Sequence, residues 1–498
     1  MDISHRPGAE WFLGRFPARR AWDGWTPDTR AGNHRSARTD TGRQLLREPD
    51  SVVKSIGKEN GADGNTAGGN TAGGNTAGRK TVADAVIVGA GVMGASCAMH
   101  LASAGLRKLL VVEKGPGVGS GSTGRSTAII RQTYSNYEVS LMAKEALGCF
   151  QNWRDFVELP ETRANFIAPG VLFLFRKDDQ GLASILELHR RVGIRSTVLS
   201  GGDKARMFPD LDFAAAPPEE VAALEAGGAE PEPHEAQALF EHDGGFADPV
   251  GTAEDMLDAA RALGAQARFN TAVTAIGHQG GRVTGVTLAT AGGAERVSTP
   301  LVINCAGPWS MGLDAAVGFP LPHELVATRI QVVTKHFGEK LKGPLPVMAD
   351  MVTGFYGRLE AGGRQVVLGS VLEEDEREAV ADPDDYNEVA DAPFRERILT
   401  LLHHRVPTFK TRGRVSSYAG LYTVNRVDSH PIIDESELLG YYNVNGWSGH
   451  GFKLSPIAGN LLTYKVLGQW GRGKSEVPPG FFARDRQPLT THWGGVIA

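Results

Sequence analysis

Apolar positions along this chain change period several times, and each change marks an element. Val86-Ile87-Val88 is an unbroken β-branched run, and small residues at helical spacing follow it to Ala98. A second apolar run, Leu109-Leu110-Val111-Val112, ends on Glu113, so residues 82–113 read as strand, helix, strand. Residues 119–124 are all glycine, serine or threonine and predict a flexible loop. Residues 137–157 place Val139, Met142, Ala143, Ala146, Leu147 and Phe150 on one side of an amphipathic helix. A strand is expected over 170–175 and a helix over 180–193, ending at Gly193. Another helix is expected over 252–263, from a Thr252 cap with Asp255 three positions on. Alternation over 268–276 and 282–289, around Gly280-Gly281, predicts two strands. Residues 301–307 read as a buried, parallel-type strand ending on glycine. Strands follow over 329–334, 355–359 and 365–371, then a helix over 393–405, a strand over 441–446 and a helix over 455–467.

The first eighty residues lack this patterning. They are rich in Arg, Gly, Asp, Asn and Thr, and residues 64–78 repeat Gly-Asn-Thr-Ala-Gly three times. Such a tract buries too little apolar surface to offset chain entropy, so it is expected to be a disordered extension. It lacks the apolar stretch of a secretory signal, and Asp23, Asp28, Asp40 and Glu48 are unlike a mitochondrial transit peptide. An over-extended start site accounts for it equally well. The full chain of 498 residues is long enough for two or three domains. A formal charge of −5 and an isoelectric point near 6.3 give no electrostatic reason to expect nucleic acid or an anionic membrane as partner. Cys97, Cys149 and Cys305 have no metal-ligand spacing, so no metal is expected. They suit a reducing compartment, and a cytoplasmic location is expected. Ala85 to Met99 carries no charge, but it is too short to span a bilayer and three glycines interrupt it.

Chemistry enters where the first strand breaks into Gly89-x-Gly91-x-x-Gly94. Gly89 permits a tight turn, Gly91 lets the backbone approach a pyrophosphate, and Gly94 lets the helix pack on the strand. The helix start offers free N–H groups and partial positive charge to phosphate. Glu113, at the end of the second strand, can accept hydrogen bonds from a ribose 2′-hydroxyl. Dinucleotide binding follows from this context rather than from the glycines alone. The later pieces of the same pattern are separated by sheet-rich insertions. That favours a flavin enzyme with an interleaved substrate domain over a simple nicotinamide dehydrogenase.

Four stretches in order carry a family resemblance: the Gly89 fingerprint with Glu113-Lys114; Gly124-Arg-Ser-Thr-Ala-Ile-Ile-Arg131; Asn304-Cys-Ala-Gly-Pro-Trp309; and Gly446-Trp-Ser-Gly-His-Gly-Phe-Lys453. From residue 82 to about 475 the chain resembles the FAD-dependent D-amino-acid/glycine/sarcosine oxidase family, and its sarcosine-oxidase branch most closely. The resemblance implies a mixed α/β fold, with a Rossmann-type FAD-binding domain interleaved with a mixed-sheet substrate-binding domain. The expected partition is an extension to 81, FAD-binding segments at 82–165, 246–312 and 415–475, substrate-domain segments at 166–245 and 313–414, and a tail from 476 to 498. The FAD-binding positions it implies are Gly89, Gly91, Val92, Met93, Gly94, Glu113, Lys114, Ser122, Thr123, Arg125, Ser126, Val273, Ala306, Gly307, Trp309, Gly446, Gly449, His450, Gly451, Phe452 and Lys453. Residue chemistry agrees in part. The three glycines of 446–451 leave backbone bare for a planar ring, and a helix starting near Ser455 could aim its N–H groups at the flavin's pyrimidine carbonyl.

By the same resemblance Arg131 and Lys453 face the substrate carboxylate, and Tyr356 and Tyr422 line the substrate pocket. A carboxylate in a dry pocket needs charge-assisted donors. A surface arginine and core tyrosines are the alternatives. Two departures from the family matter. The position where some relatives attach flavin through cysteine is Gly420, which implies non-covalent FAD. The position of an oxygen-activating lysine is Val367, which favours a dehydrogenase with an unknown acceptor over an oxidase. The expected reaction is oxidation of the C–N bond of a secondary, N-methyl or D-amino acid, or a related amine, to an imine. Oxidation of a hydroxy acid or glycerol phosphate on the same fold is the alternative, as is a non-catalytic flavoprotein scaffold.

Overall fold

A computed structural model describes residues 81–489, apart from 177, 178, 180, 215–235, 320, 339, 361, 411 and 412. The extension expected to be disordered lies outside the described residues up to position 80. Residue 81 already belongs to the fold, because Thr81 and Val82 pair in parallel with Val297 and Ser298.

The unbroken apolar runs become the centre of a six-stranded sheet. Its order is Ile432–Glu435, Tyr441–Asn445, Val302–Asn304, Ala85–Val88, Leu109–Val112 and Gln266–Arg268. All neighbours are parallel except the first pair. Both faces of such a sheet are covered, which is why Val86, Ile87, Leu110 and Val111 read as continuous apolar runs and are all buried. A four-stranded sheet runs Thr81–Val82, Gly293–Ser298, Arg282–Thr290 and Ala272–Gln279. An eight-stranded mixed sheet runs Val415–Asn425, Leu325–His336, Gln365–Ser370, Phe355–Glu360, Val347–Asp350, Val171–Phe175, Gln237–Glu241 and Ser196–Val198. Ile129–Ile130 and Gly245–Phe246 form a small separate pair.

Two helices pack into the main core, Val92–Ser103 and Gly451–Leu467. Their approach is close enough that a Cβ on Gly459 would lie 2.5 Å from the Ser96 backbone. Ser96 Oγ donates to Ser455 O at 2.5 Å, and His100 Nε2 lies 2.8 Å from Pro456 O. Pro456 has no N–H for the Phe452 carbonyl, and the Ser455 hydroxyl donates to that oxygen instead, at 2.9 Å.

Several boundaries differ from the sequence expectation. The helix expected over 137–157 is two, Tyr137–Gln151 and Trp153–Val157. Asn152 Nδ2 donates back to Gly148 O at 2.9 Å, and the Trp153 indole is drawn to Asp255 Oδ2 at 2.8 Å. Asp255 is therefore a buried anchor, not a capping partner of Thr252. The helix there is Pro249–Ala262, and Asp248 caps it by accepting Gly251 N at 2.6 Å, with proline in the first turn. The strand expected over 268–276 is two strands in different sheets, broken where Asn270 takes φ 49°. Val415–Asn425 was not expected as a strand, yet it pairs along its whole length with Leu325–His336. Residues 476–489 are packed, not a loose tail: Val477 and Phe482 are buried, and Ile433 N donates to Phe482 O. Among the described residues no helix is long and apolar enough to cross a membrane.

Candidate active site

The glycine turn forms as its spacing requires. Gly89 sits at φ 101°, and a Cβ there would lie 2.6 Å from Cys305 O. A Cβ on Gly94 would meet Gly89 O at 1.9 Å, so only glycine lets the helix seat on the strand. No side chain of its own N-cap residue closes the helix Val92–Ser103; Val92 N instead donates to Thr123 Oγ1 at 3.0 Å. Thr123 belongs to the 3₁₀ turn Ser122–Arg125, which the loop expectation missed. Glu113 accepts Ala90 N at 2.8 Å and Gly115 N at 2.7 Å, one on each carboxylate oxygen. Val273 starts three residues beyond Asn270, and Asn270 N and Thr271 N hold that stretch to Gly115 O and Glu113 O. Ala306 and Gly307 follow Val302–Asn304 at the carboxyl end of the sheet, with Gly307 at φ 55°. Lys114 lies 4.1 Å over the Trp309 ring, and both side chains contact Asp384. Gly89, Glu113, Ala306 and Gly307 follow the carboxyl ends of the parallel strands, where such sheets take their ligands.

The second group gathers around one cavity. Arg131, Tyr356, Tyr422 and Lys453 all line it, together with Ser126, Gly449, His450 and Phe452. The 3₁₀ turn Ser122–Arg125 joins the two groups. Ser122 Oγ donates to Leu421 O at 2.6 Å, and Arg125 Nη1 donates to Ala419 O at 2.8 Å, both on the strand that carries Tyr422. The segment 446–450 is fastened to the same strand: Ser448 N donates to Thr423 O, and Asn425 N donates to Ser448 Oγ at 3.0 Å. Ser448 takes φ 43°, a strained conformation for a non-glycine residue beside the cavity.

Arg131 is a buried cation, not a surface arginine. It follows Ile129–Ile130, and the next two residues are fixed by Glu241, which accepts Gln132 N at 2.9 Å, Thr133 N at 3.1 Å and Thr133 Oγ1 at 2.9 Å. The guanidinium stacks 4.1 Å from the Tyr134 ring, and Nη1 donates to Thr133 O. Nη2 is buried with no partner among the described residues. Lys453 lies in the first turn of Gly451–Leu467, and its one hydrogen bond among the described residues is to Gly449 O, at 3.3 Å. Burial, and then the Arg131 charge, hold its pKa well below the usual lysine value. Burial likewise keeps His450 neutral by pushing its pKa well down, and neither ring nitrogen has a partner among the described residues. Burial raises the pKa values of Tyr356 and Tyr422, so both keep their hydroxyl protons. They wall the cavity and are not core tyrosines.

One boundary at the site differs from the sequence expectation, and the glycines have particular neighbours. The C-terminal helix starts at Gly451, not near Ser455, so the free first-turn N–H groups belong to the glycine motif itself. Gly449 is bare because the Tyr422 ring lies against it: a Cβ there would be 2.6 Å from that ring. Gly446 faces Leu325 and Asn425 instead of the cavity, and Gly451 faces Met93 and Trp447. Gly420 lies against the Arg125 side chain. Val367 is buried and pairs with Arg358 in the strand register. Sequence reasoning missed Glu241 and Glu376. The first sits at the end of an unrecognised strand, and the second in an acidic run, Glu373-Glu374-Asp375-Glu376, that reads as solvated charge.

The fit to FAD rests on features of this site. Two long helices, Val92–Ser103 and Gly451–Leu467, open toward it without a side-chain cap from their own N-cap residues. A bare glycine turn lies before the first, and buried unpartnered donors lie beside the second. An anionic dinucleotide with a polar ring satisfies both ends.

Fold and site together define an FAD-dependent oxidoreductase of the two-part, sheet-rich kind. The chain belongs to the FAD dependent oxidoreductase (DAO) family, which matches residues 84–465. It is 29% identical over 398 residues to FAD-dependent oxidoreductase domain-containing protein 1 of Xenopus laevis, covering 73% of this chain and 74% of that one. It is 25% identical to sarcosine oxidase subunit beta of Rhodobacter capsulatus, covering 73% and 79% of the two chains. In fold it is similar to L-proline dehydrogenase from P. horikoshii, with a TM-score of 0.67 at 20% identity, over 82% of this chain and 98% of that one.

Proposed function

We propose that the cavity binds a secondary or N-methylated amino acid, or a related amine, and that its C–N bond is oxidised to an imine that water then hydrolyses. The observation that carries this reading is the pairing of Arg131 and Lys453 in one buried cavity, with Arg131 Nη2 left without a partner among the described residues. A buried guanidinium N–H without an acceptor costs about 1–3 kcal/mol, and a carboxylate supplies the acceptor. When bound, FAD supplies at N5 the acceptor for the hydride that leaves the substrate.

The chain's own part is positioning. Arg131 and Lys453 hold the carboxylate, and Tyr356 and Tyr422 offer hydroxyl protons from the opposite strands. Phe452 and Val347–Ala349 supply the cavity's apolar lining. The amine must be neutral when hydride leaves, so a substrate that arrives as a zwitterion first gives up its ammonium proton. The relatives named above include a sarcosine oxidase subunit, and the fold neighbour is an L-proline dehydrogenase; sarcosine and proline are both secondary amino acids. Val367 in place of a cation favours a dehydrogenase, and Gly420 favours FAD held without a covalent bond. Three free thiols, Cys97, Cys149 and Cys305, support a cytoplasmic setting.

Anaerobic flavin reduction tests the reading. Sarcosine, L-proline or another N-alkyl amino acid should bleach the flavin, and matched hydroxy acids should not. Bleaching by hydroxy acid or glycerol phosphate alone would transfer the site to the other reaction. Bound FAD that no amine and no hydroxy acid bleaches would point to a scaffold.

A further inference from the structure

We infer that Glu376 sets the specificity of the cavity: its carboxylate receives the cationic nitrogen of the substrate and so selects a zwitterionic amino acid over an acid without nitrogen. The inference rests on the carboxylate reading of Arg131 and Lys453 given above. Glu376 enters the cavity from the 3₁₀ turn Glu373–Glu376, on a wall shared with Tyr356, Tyr422 and Lys453. Its carboxylate takes no hydrogen bond from the described residues, while its neighbours on the turn are engaged. Asp375 accepts Arg397 Nη2 at 2.6 Å, and Glu373 accepts Arg377 Nη2 at 3.2 Å. Arg426 donates to the main-chain oxygen of Glu376 at 3.4 Å and leaves the carboxylate open.

The cavity thus presents two basic groups and one open carboxylate, the complement of a carboxylate and an ammonium carried by one small molecule. A hydroxy acid or a phosphate ester offers Glu376 a neutral hydroxyl in place of an ammonium, and its anionic group is repelled by it. Lys453 and Arg426 favour the ionised form of Glu376, while burial, Asp375 and Glu373 oppose it; Tyr356 and Tyr422, which also face it, stay protonated. The outcome is a Glu376 pKa raised to about 7, with burial the largest cause. Above that range the carboxylate is charged and the nitrogen-bearing ligand is preferred. As pH falls through it, Glu376 takes a proton and the preference fades. Lys453 and His450 line the same cavity, but they act on the carboxylate that both kinds of ligand share. Their effect cancels in a ratio.

The test uses the FAD-loaded full chain and two isosteric pairs, sarcosine with butyrate and L-proline with cyclopentanecarboxylate. Apparent Kd is read from the concentration dependence of the first flavin absorbance change after anaerobic mixing, at pH 8 and pH 6. Wild type should prefer the nitrogen-bearing member at pH 8, and the preference should shrink severalfold at pH 6. Glu376→Gln should lower the pH 8 preference at least about tenfold and remove its pH dependence, chiefly by binding the nitrogen-free acid better. Glu376→Asp should keep the pH dependence. An unchanged preference in Glu376→Gln, with carboxylate binding still sensitive to Arg131→Met, overturns this inference alone. If neither member of either pair perturbs the wild-type flavin, or Arg131→Met binds both as tightly as wild type, the carboxylate reading falls and this inference with it.

Discussion

Single residues carry the chemistry, and several can be tested one at a time. Gly91 lies 3.1 Å, through the Cβ it lacks, from Thr123 Oγ1 at the crevice. Gly91→Glu adds bulk and negative charge where pyrophosphate must sit, so the purified variant should be colourless. A yellow variant with normal flavin content would show that the crevice is not the phosphate site. Val367→Lys places a cation next to Arg358, on the sheet face that also carries Tyr356. If that position governs oxygen use, reoxidation of the reduced flavin in air should accelerate by about tenfold or more; an unchanged rate would assign the role elsewhere. The placement of Arg131 and Lys453 at one cavity was legible in the sequence because basic residues inside apolar or glycine-rich motifs, such as Arg131 after Ile129-Ile130, are rarely solvated. Glu376 was not legible. Whether an acid in an acidic run faces solvent or a cavity is decided by the path of a short turn, which no local pattern encodes.

At the scale of elements, the contact between the helices Val92–Ser103 and Gly451–Leu467 holds the N-termini that follow the two glycine motifs in place. His100 is fully buried there, between Pro456 O and Arg472 N, and burial drives its pKa down to about 3. Its ordinary value is about 6.5, so between these limits the unfolded chain binds a proton that the folded chain does not. Stability should therefore fall as pH drops from 6.5 toward 3, by up to about 1.4 kcal/mol per pH unit from this residue. His100→Gln should flatten that slope in pH-dependent thermal melts, and an identical slope in the variant would show that other groups set it. Gly459→Val should lower the melting temperature by many degrees, because the Ser96 backbone leaves no room for a Cβ. Strong apolar runs made the four central strands of the six-stranded sheet readable. The strands Val415–Asn425 and Gln237–Glu241 escaped because glycine, serine and mixed polar residues blur their alternation, and sheet partners fix them. Helix starts moved where a cap lay upstream of the apolar pattern, as Asp248 does for Pro249–Ala262.

For the whole molecule, the account is that two separately built surfaces, a dinucleotide crevice and a buried cationic cavity, meet at the segments 122–131 and 446–453. Residues 1–80 have too little apolar surface to contribute to that arrangement, so their removal should leave flavin content and melting temperature nearly unchanged. A large fall would show that they pack on the body. Acid precipitation should leave the yellow colour in the supernatant, since Gly420 offers no thiol for attachment; colour in the pellet would reveal another linkage. The central claim is that substrate binds by its carboxylate at Arg131 while FAD binds elsewhere. Anaerobic stopped-flow reduction of Arg131→Met tests it most directly. A charge-assisted contact contributes about 1.5–3 kcal/mol, so flavin reduction by an amino acid that bleaches the wild type should slow, or its apparent Kd rise, at least about tenfold. FAD content should stay at the wild-type level. Reduction as fast and as tight as wild type would contradict the account, and loss of FAD would show that Arg131 serves the cofactor rather than the substrate.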